Sequence, residues 1–366
     1  MVRDRIGTAA AVRPVDLVWI CGDCHLGNLG PVANIKGKVE IAIRDLDQTV
    51  VGNPVHDLVR LGLSIATAVR GSDLPGVTTA TALEEMINGY DDALAHPHRD
   101  YQDFGKIPKP VRAILRQSVR RRWRHLAEER IEDIRPAIPL GESFWPLSRN
   151  EKKEISRLFE AKEMQILITS LKQRKDHAKV RVIDAAYWVK GCSSLGRLRY
   201  AVLLEVGKGD AGNNGGWCLV DIKEAIKAAA PRTAHASMPV NNAKRVVEGA
   251  RHLSPFLGDR MLPASFLDRE VFVRELMPQD LKLELDHLTR QEATAAARHL
   301  AMVLGKAHGR QMDVETRAKW RAEISRHRSK KLDMPSWLWS SVVQLVAAHE
   351  TGYLDHCRLY ALRPNG

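Results

Sequence analysis

Asp23, His25 and Asn28 lie in one short segment, CGDCHLGNLG (residues 21–30), with Gly22 and Gly27 on either side of the histidine. Glycine lets a backbone turn tightly enough for the Asp23 and Asn28 side chains to present oxygens to a common space. The apolar run IAI leads into RDLD, so Asp45 can add a carboxylate to that space, with Asp47 as its competitor two residues on. Hard oxygen donors of this kind suit Mg²⁺, which keeps several waters and completes its shell with substrate phosphates. The acid left over would be free to act as a base.

A second set stands far along the chain. YWVKGCSSLGRLRYAVLL (residues 187–204) places Gly191 and Gly196 between two apolar runs, so backbone N–H groups and the Ser193 and Ser194 hydroxyls could approach a phosphate closely. A plain tight hairpin is the competing reading of that turn. It lacks the Gly-Lys-Ser/Thr ending of a Walker loop. Lys223, near the end of WCLVDIK, could reach the same phosphates as a point charge, and Glu248 in the following helical pattern could pair with it. An exposed strand-end lysine and a helix-surface acid are the simpler alternatives.

These residues need elements to position them. LVWI and VEIAI, rich in β-branched residues, bracket a Gly-, Pro- and Asn-containing stretch and predict strand, loop, strand. Residues 57–70 begin helical periodicity behind an acidic residue, and helical patterns run to about residue 175 with breaks at Pro75, Pro108, Pro139 and Pro146. From residue 180 three strands, a helix over 241–253 and a further strand over 270–276 are expected; beyond residue 288 the pattern is helical again. The divisions expected are therefore 1–179, 180–280 and 281–366.

Composition bounds the function classes. The 366 residues, 44% of them hydrophobic and 27% charged, are enough for two domains or one two-lobed domain. No stretch approaches the ~20 uninterrupted apolar residues of a membrane span, and the first residues do not read as a secretory signal, so a cytoplasmic location is expected. Five scattered cysteines do not form a disulfide framework, and the one C-x-x-C, Cys21 to Cys24, lacks further zinc partners. The net charge of +12 favours anionic partners without choosing among them. The densest basic segment, residues 109–130, carries Val111, Leu115, Val119, Trp123 and Leu126 at helical spacing, so its arginines read as a solvated face or as a nucleic-acid surface.

GDCHLGN resembles the G-D-x-H-x-x-N catalytic loop of aminoglycoside and choline phosphotransferases, and IRDLDQTVVGNPVHDLVRL resembles their metal-binding I-D-F-D segment with its following G-x-P-x-x-D-L. Over residues 17–310 the chain is similar to a bacterial family designated domain of unknown function 2252. The resemblance implies an α+β, two-lobed, protein kinase-like fold with a helical C-lobe and an antiparallel β-sheet N-lobe. It implies that Asp23 accepts the proton of an attacking hydroxyl, that Asn28 and Asp45 hold Mg²⁺ on the phosphates of ATP, and that His25 braces the loop. Asp57 would tie the loop backbone, Lys223 oriented by Glu248 would neutralise phosphates, and Glu275 to Met277 would form the hinge against adenine. In kinases the glycine loop and its lysine precede the catalytic loop; here they follow it, and the helix around His308 resembles the one that normally leads into that loop. A circular permutation reconciles the two orders and predicts that this helix adjoins the strand before Asp23.

The function expected is therefore an ATP- and Mg²⁺-dependent phosphotransferase acting on an unknown hydroxyl-bearing acceptor. A metal-dependent phosphoesterase and a non-catalytic nucleotide- or nucleic-acid-binding protein are the alternatives. Trp123, Trp145 and Trp337 are candidates to line an acceptor pocket.

Overall fold

The computed structural model describes residues 17–120, 137–170, 174, 178–190, 196–207, 216–233, 236–280, 288–326 and 334–361. In chain order it contains β1 (Val18–Ile20), β2 (Leu29–Ala33), β3 (Val39–Ile43), β4 (Val50–Gly52), α1 (Val55–Gly71), α2 (Gly76–Ala95), α3 (Lys109–Arg120), β5 (Phe144–Trp145), α4 (Arg149–Glu160) and α5 (Lys162–Thr169). There follow β6 (Val180–Trp188), β7 (Arg199–Val206), β8 (Trp217–Glu224), α6 (Asn242–Leu253), α7 (Pro255–Gly258), β9 (Met261–Phe266), β10 (Arg269–Leu276), α8 (Arg290–Gly309), α9 (Val314–Ser325) and α10 (Ser336–Ala361). The protein is an α+β chain whose sheets are antiparallel. None of its described helices is long and apolar enough to cross a membrane.

Two ribbons form near the start of the described chain, β1 with β4 and β2 with β3. β1 and β3 are the strands expected at LVWI and VEIAI. β2 is not expected from its sequence, because Gly30 and Pro31 read as turn residues. In a two-stranded ribbon every strand has a free edge, where a proline without an N–H sacrifices no ladder bond. The same holds for Pro263 in β9, which lies at the edge of a six-stranded sheet of order β5-β6-β7-β8-β10-β9.

Register decides what that sheet presents. Arg199 pairs with Lys223, Ala201 with Asp221 and Leu203 with Leu219, while Arg274 lies opposite Asp221 on the other side. Partners across an antiparallel ladder share a face, so these residues line one side. The intervening Tyr200, Val202, Leu204, Val220 and Ile222 line the other and pack against Ile155 and Phe159 of α4 and Ile168 of α5. Residues 144–169, ahead of the boundary expected at 180, thus pack on this sheet. Ser148 starts α4 with a reciprocal capping box to Glu151, as Thr289 does for α8 with Glu292.

The larger core gathers α1, α2, α8, α9 and the start of α10 around the two ribbons. α2 and α8 approach closely because glycines face them: a Cβ on Gly89 would lie 2.2 Å from the Arg298 carbonyl oxygen, and one on Gly305 would lie 2.4 Å from that of Tyr90. Burying each leucine of this core contributes about 1.5–3 kcal/mol, so the packing can hold the polar loops described next.

Candidate functional site

Ribbon register brings two loops together. Ile20 pairs with Val50 and Leu29 with Ile43, so the chain between β1 and β2 must lie beside the chain between β3 and β4. The Arg44 N–H donates to the Asn28 carbonyl at 2.8 Å, and the Thr49 hydroxyl donates to the Ile20 carbonyl at 2.7 Å. Gly22 sits at φ +76°, and a Cβ there would lie 2.3 Å from the Gln48 carbonyl oxygen. Only glycine fits that crossing.

Asp57, in the first turn of α1, fixes the start of the first loop. Its fully buried carboxylate accepts the Cys21 N–H at 2.7 Å and the Gly22 N–H at 2.8 Å, and His308 Nε2 stands 3.2 Å from Oδ2. The Trp320 indole N–H donates to the Tyr90 hydroxyl at 3.0 Å, and that hydroxyl lies 2.9 Å from His308 Nδ1. With its oxygen taken by Trp320, the Tyr90 hydroxyl donates to Nδ1, which leaves the His308 proton on Nε2 and aimed at Asp57. Three residues past His308, Gln311 clasps Trp19, accepting its N–H at 2.8 Å and donating to its carbonyl at 3.1 Å. The end of α8 therefore adjoins β1, the juxtaposition expected from the order of the motifs.

Within the loop, His25 Nδ1 accepts the Gly27 N–H at 3.2 Å and caps the short 3₁₀ turn Leu26–Asn28. Asn28 donates through Nδ2 to the Asp23 carbonyl at 3.0 Å, and its Oδ1 has no hydrogen-bond donor among the described residues. Asp23 is part exposed. Arg60, one helical turn beyond Asp57, places Nη2 at 2.6 Å and Nε at 2.8 Å from Asp23 Oδ1, while His25 Nε2 lies 4.0 Å from Oδ2.

Lys223 enters the same space from β8. Its ammonium forms an ion pair with Asp47 and lies 3.7 Å from Asp45. Asp45 Oδ1 also accepts the Asp47 N–H at 3.3 Å. Desolvation alone would raise Asp45, but Lys223 and then Arg274 outweigh it and hold this carboxylate well below the usual range. At Asp47 the Asp45 charge adds to desolvation and, against Lys223, pushes the group up to about 6. Two residues back on the strand, Arg199 and Arg274 overcome full burial and hold Asp221 down at about 2. Arg274 also donates to the Arg44 carbonyl at 3.1 Å, next to Asp45.

The loop carrying the acids is gripped from α6 by Arg245. This buried guanidinium donates to the carbonyls of Thr49, of Asp47 at 3.1 Å and of Ile226 at 2.8 Å. Glu248, expected to orient Lys223, does not do so: it lies on the outer face of α6, 3.3 Å from His252 and 3.8 Å from Arg251. The expected hinge is also otherwise engaged. Glu275 is buried against Arg174 at 2.7 Å, with its carbonyl taken by Arg260 at 2.7 Å, while the Met277 N–H and carbonyl both bond Asp280. Gly191, Ser193 and Ser194 lie outside the described residues, as does Trp123; Gly196 follows at φ +74°. Trp337 is buried in the helical core, and Trp145 stacks on Tyr187 of the sheet, so these two do not share a pocket.

The donor set fits Mg²⁺. Among the described residues Asp47 Oδ1 is buried with no hydrogen-bond partner and Asn28 Oδ1 meets no donor, while Asp45 is the more open acid, 44% exposed against 24%. Two carboxylates and an amide leave room for waters and phosphate oxygens. Among the described residues no three His, Cys, Asp or Glu side chains gather around one point. Cys21 and Cys24 are buried free thiols; the hydrogen bond between them, burial and the nearby Asp57 charge push Cys21 well up, away from thiolate chemistry.

Sequence reasoning missed Arg60, Arg245 and the Arg199–Asp221–Arg274 cluster. For Arg60 and the sheet cluster only polar residues in phase with Asp57 or Lys223 hinted at a shared face. No curated protein and no solved structure matches this chain. A family model does match, over residues 10–359, and the chain belongs to that family, the uncharacterized proteins conserved in bacteria designated DUF2252.

Proposed function

We propose that this protein is an ATP- and Mg²⁺-dependent phosphotransferase of kinase-like, circularly permuted fold, acting on a hydroxyl-bearing acceptor. The observation that carries the reading is the meeting of Lys223, from the third strand after β5, with Asp45 and Asp47 beside the Asp23 loop. A lysine on the sheet, an acid and an asparagine on facing loops, and a further acid open to solvent are the parts that phosphoryl transfer by kinases requires. Support for the permuted order comes from the Gln311 clasp on Trp19, which sets the end of α8 against the start of the catalytic strand.

In this reading Asp23, with Oδ1 held by Arg60, takes the acceptor hydroxyl proton on Oδ2 as the acceptor oxygen bonds the terminal phosphorus. The bond from that phosphorus to the bridging oxygen breaks, and ADP leaves. Asn28, Asp45 and Asp47 would hold the metal, which when bound would offset the charge on the phosphate oxygens. Lys223 turns from Asp47 to the phosphates. Asp57 and His308 keep the loop backbone fixed while charge moves.

The phosphoesterase alternative needs a two-metal site with more ligands than gather among the described residues. Calorimetry tests the proposal: Mg-ATP should bind the wild type and fail to bind Asp45→Ala and Lys223→Met. Absence of binding to the wild type would overturn it.

A further inference from the structure

The sheet face that continues from Lys223 is where a base attached to the phosphates would have to lie, and that face is already filled. Next to Lys223, Asp221 is fully buried between Arg199 at 2.7 Å and Arg274 at 2.9 Å. These three groups satisfy one another and offer no flat apolar surface. Arg199 in turn lies over the Trp188 ring, 4.5 Å from its centroid.

Beyond the ionic cluster the face does become apolar, with Ala186, Ala201, Leu203 and Leu219, but Ile138 covers it. Ile138 is anchored by its N–H on Asp184 Oδ2 at 2.7 Å, and Phe144 stacks on Trp188 at 5.8 Å alongside. All four residues of the patch are 0–5% exposed, as is Ile138 itself. A base is normally held by an open apolar slot with a few convergent polar groups. Here the hinge backbone at Glu275 and Met277 is bonded internally as well. At the phosphate end, Asp47 Oδ1 and Asn28 Oδ1 are left without hydrogen-bond partners among the described residues.

We infer that the site recognises its phosphate donor by the polyphosphate chain and not by the base, so that the donors it takes are triphosphates as a class. This rests on the phosphotransferase reading and narrows it. Arg199, Asp221 and Ile138 are the specificity-determining residues, because they occupy the ground a base would need.

The test is calorimetry of the full chain with Mg²⁺ and, in turn, ATP, GTP, CTP and inorganic tripolyphosphate. The expected result is four dissociation constants within about threefold, each weakened at least tenfold by Lys223→Met, which separates binding in the site from attraction to a basic surface. ATP binding at least tenfold tighter than GTP and tripolyphosphate would overturn this inference and leave the phosphotransferase reading standing. Failure of all four ligands would overturn both. Ile138→Ala uncovers the apolar patch and should tighten ATP at least threefold without changing tripolyphosphate; an equal change in both ligands, or none, counts against Ile138 as the cover.

Discussion

Lys223 and Asp47 stand 176 residues apart in the chain and form the ion pair that ties the six-stranded sheet to the loop bearing the acids. Both are partly buried, so removing one leaves the other short of a partner in a poorly solvated place. Lys223→Met should cost about 2 kcal/mol and Asp47→Ala a similar amount, while the double variant should cost less than their sum, with a coupling of about 1–2 kcal/mol. Urea unfolding of the four species gives this number, and strict additivity would show that the pair contributes nothing.

Asp23 is at the other extreme, part exposed, with Arg60 on Oδ1 and His25 4.0 Å from Oδ2. Asp23→Asn should leave stability within about 0.5 kcal/mol of the wild type. It should lower phosphoryl transfer by about 10²–10⁴-fold with nucleotide affinity retained, as expected for loss of a proton acceptor. Equal turnover by the variant, in an assay of ADP release with acceptor present, would remove Asp23 from the chemistry.

Asp57 carries more of the architecture, since two backbone N–H groups and a histidine converge on it. Asp57→Ala strands those donors without solvent and should cost about 3 kcal/mol or more. Hydrogen exchange offers a local readout: the Cys21 and Gly22 amides should lose protection well beyond the global loss of stability.

At Gly22 backbone conformation and space act together. Alanine there would need φ +76° and would set a Cβ against the Gln48 carbonyl. Gly22→Ala should destabilise by about 2 kcal/mol or more, and the two loops it separates should shift apart. A melting temperature unchanged within a degree would contradict this.

His299 supplies a pH dependence remote from the site. Burial in α8 holds its imidazole down at about 4, while the unfolded chain leaves it near the ordinary 6.5. The unfolded state therefore binds the proton first, so stability is fully present above about pH 6.5 and falls as pH drops toward 4. The loss amounts to about 3 kcal/mol across that window. His299→Gln should flatten this limb of the stability curve, measured by urea unfolding at stepped pH.

How much the sequence disclosed follows the distance over which each feature is decided. The 21–28 loop, its companion at 45–47 and Asp57 could be read because their chemistry is spelled within short segments flanked by β-branched runs. α1 and α8 showed themselves by periodicity. That Glu248 does not reach Lys223 could not be read: Arg245 and Glu248 are three residues apart on one helix, and which of them turns inward depends on contact with residues 47–49. In the structure a Cβ on Gly249 would lie 2.4 Å from Thr49, so α6 presses that side, with Arg245, onto the loop. The grouping of Arg199, Asp221 and Arg274 likewise needs cross-strand register, which alternation along a single strand does not specify.

The clasp of Gln311 on Trp19 spans 292 residues, and the His308 contact with Asp57 spans 251. Because synthesis proceeds from the N-terminus, the segment holding Asp23 is made well before His308 and Gln311, the residues that pin its backbone. The 21–28 segment of a nascent chain consequently stays unpinned until His308 and Gln311 emerge, and its ordering should be among the latest and slowest events of folding, as expected where contacts close very long loops.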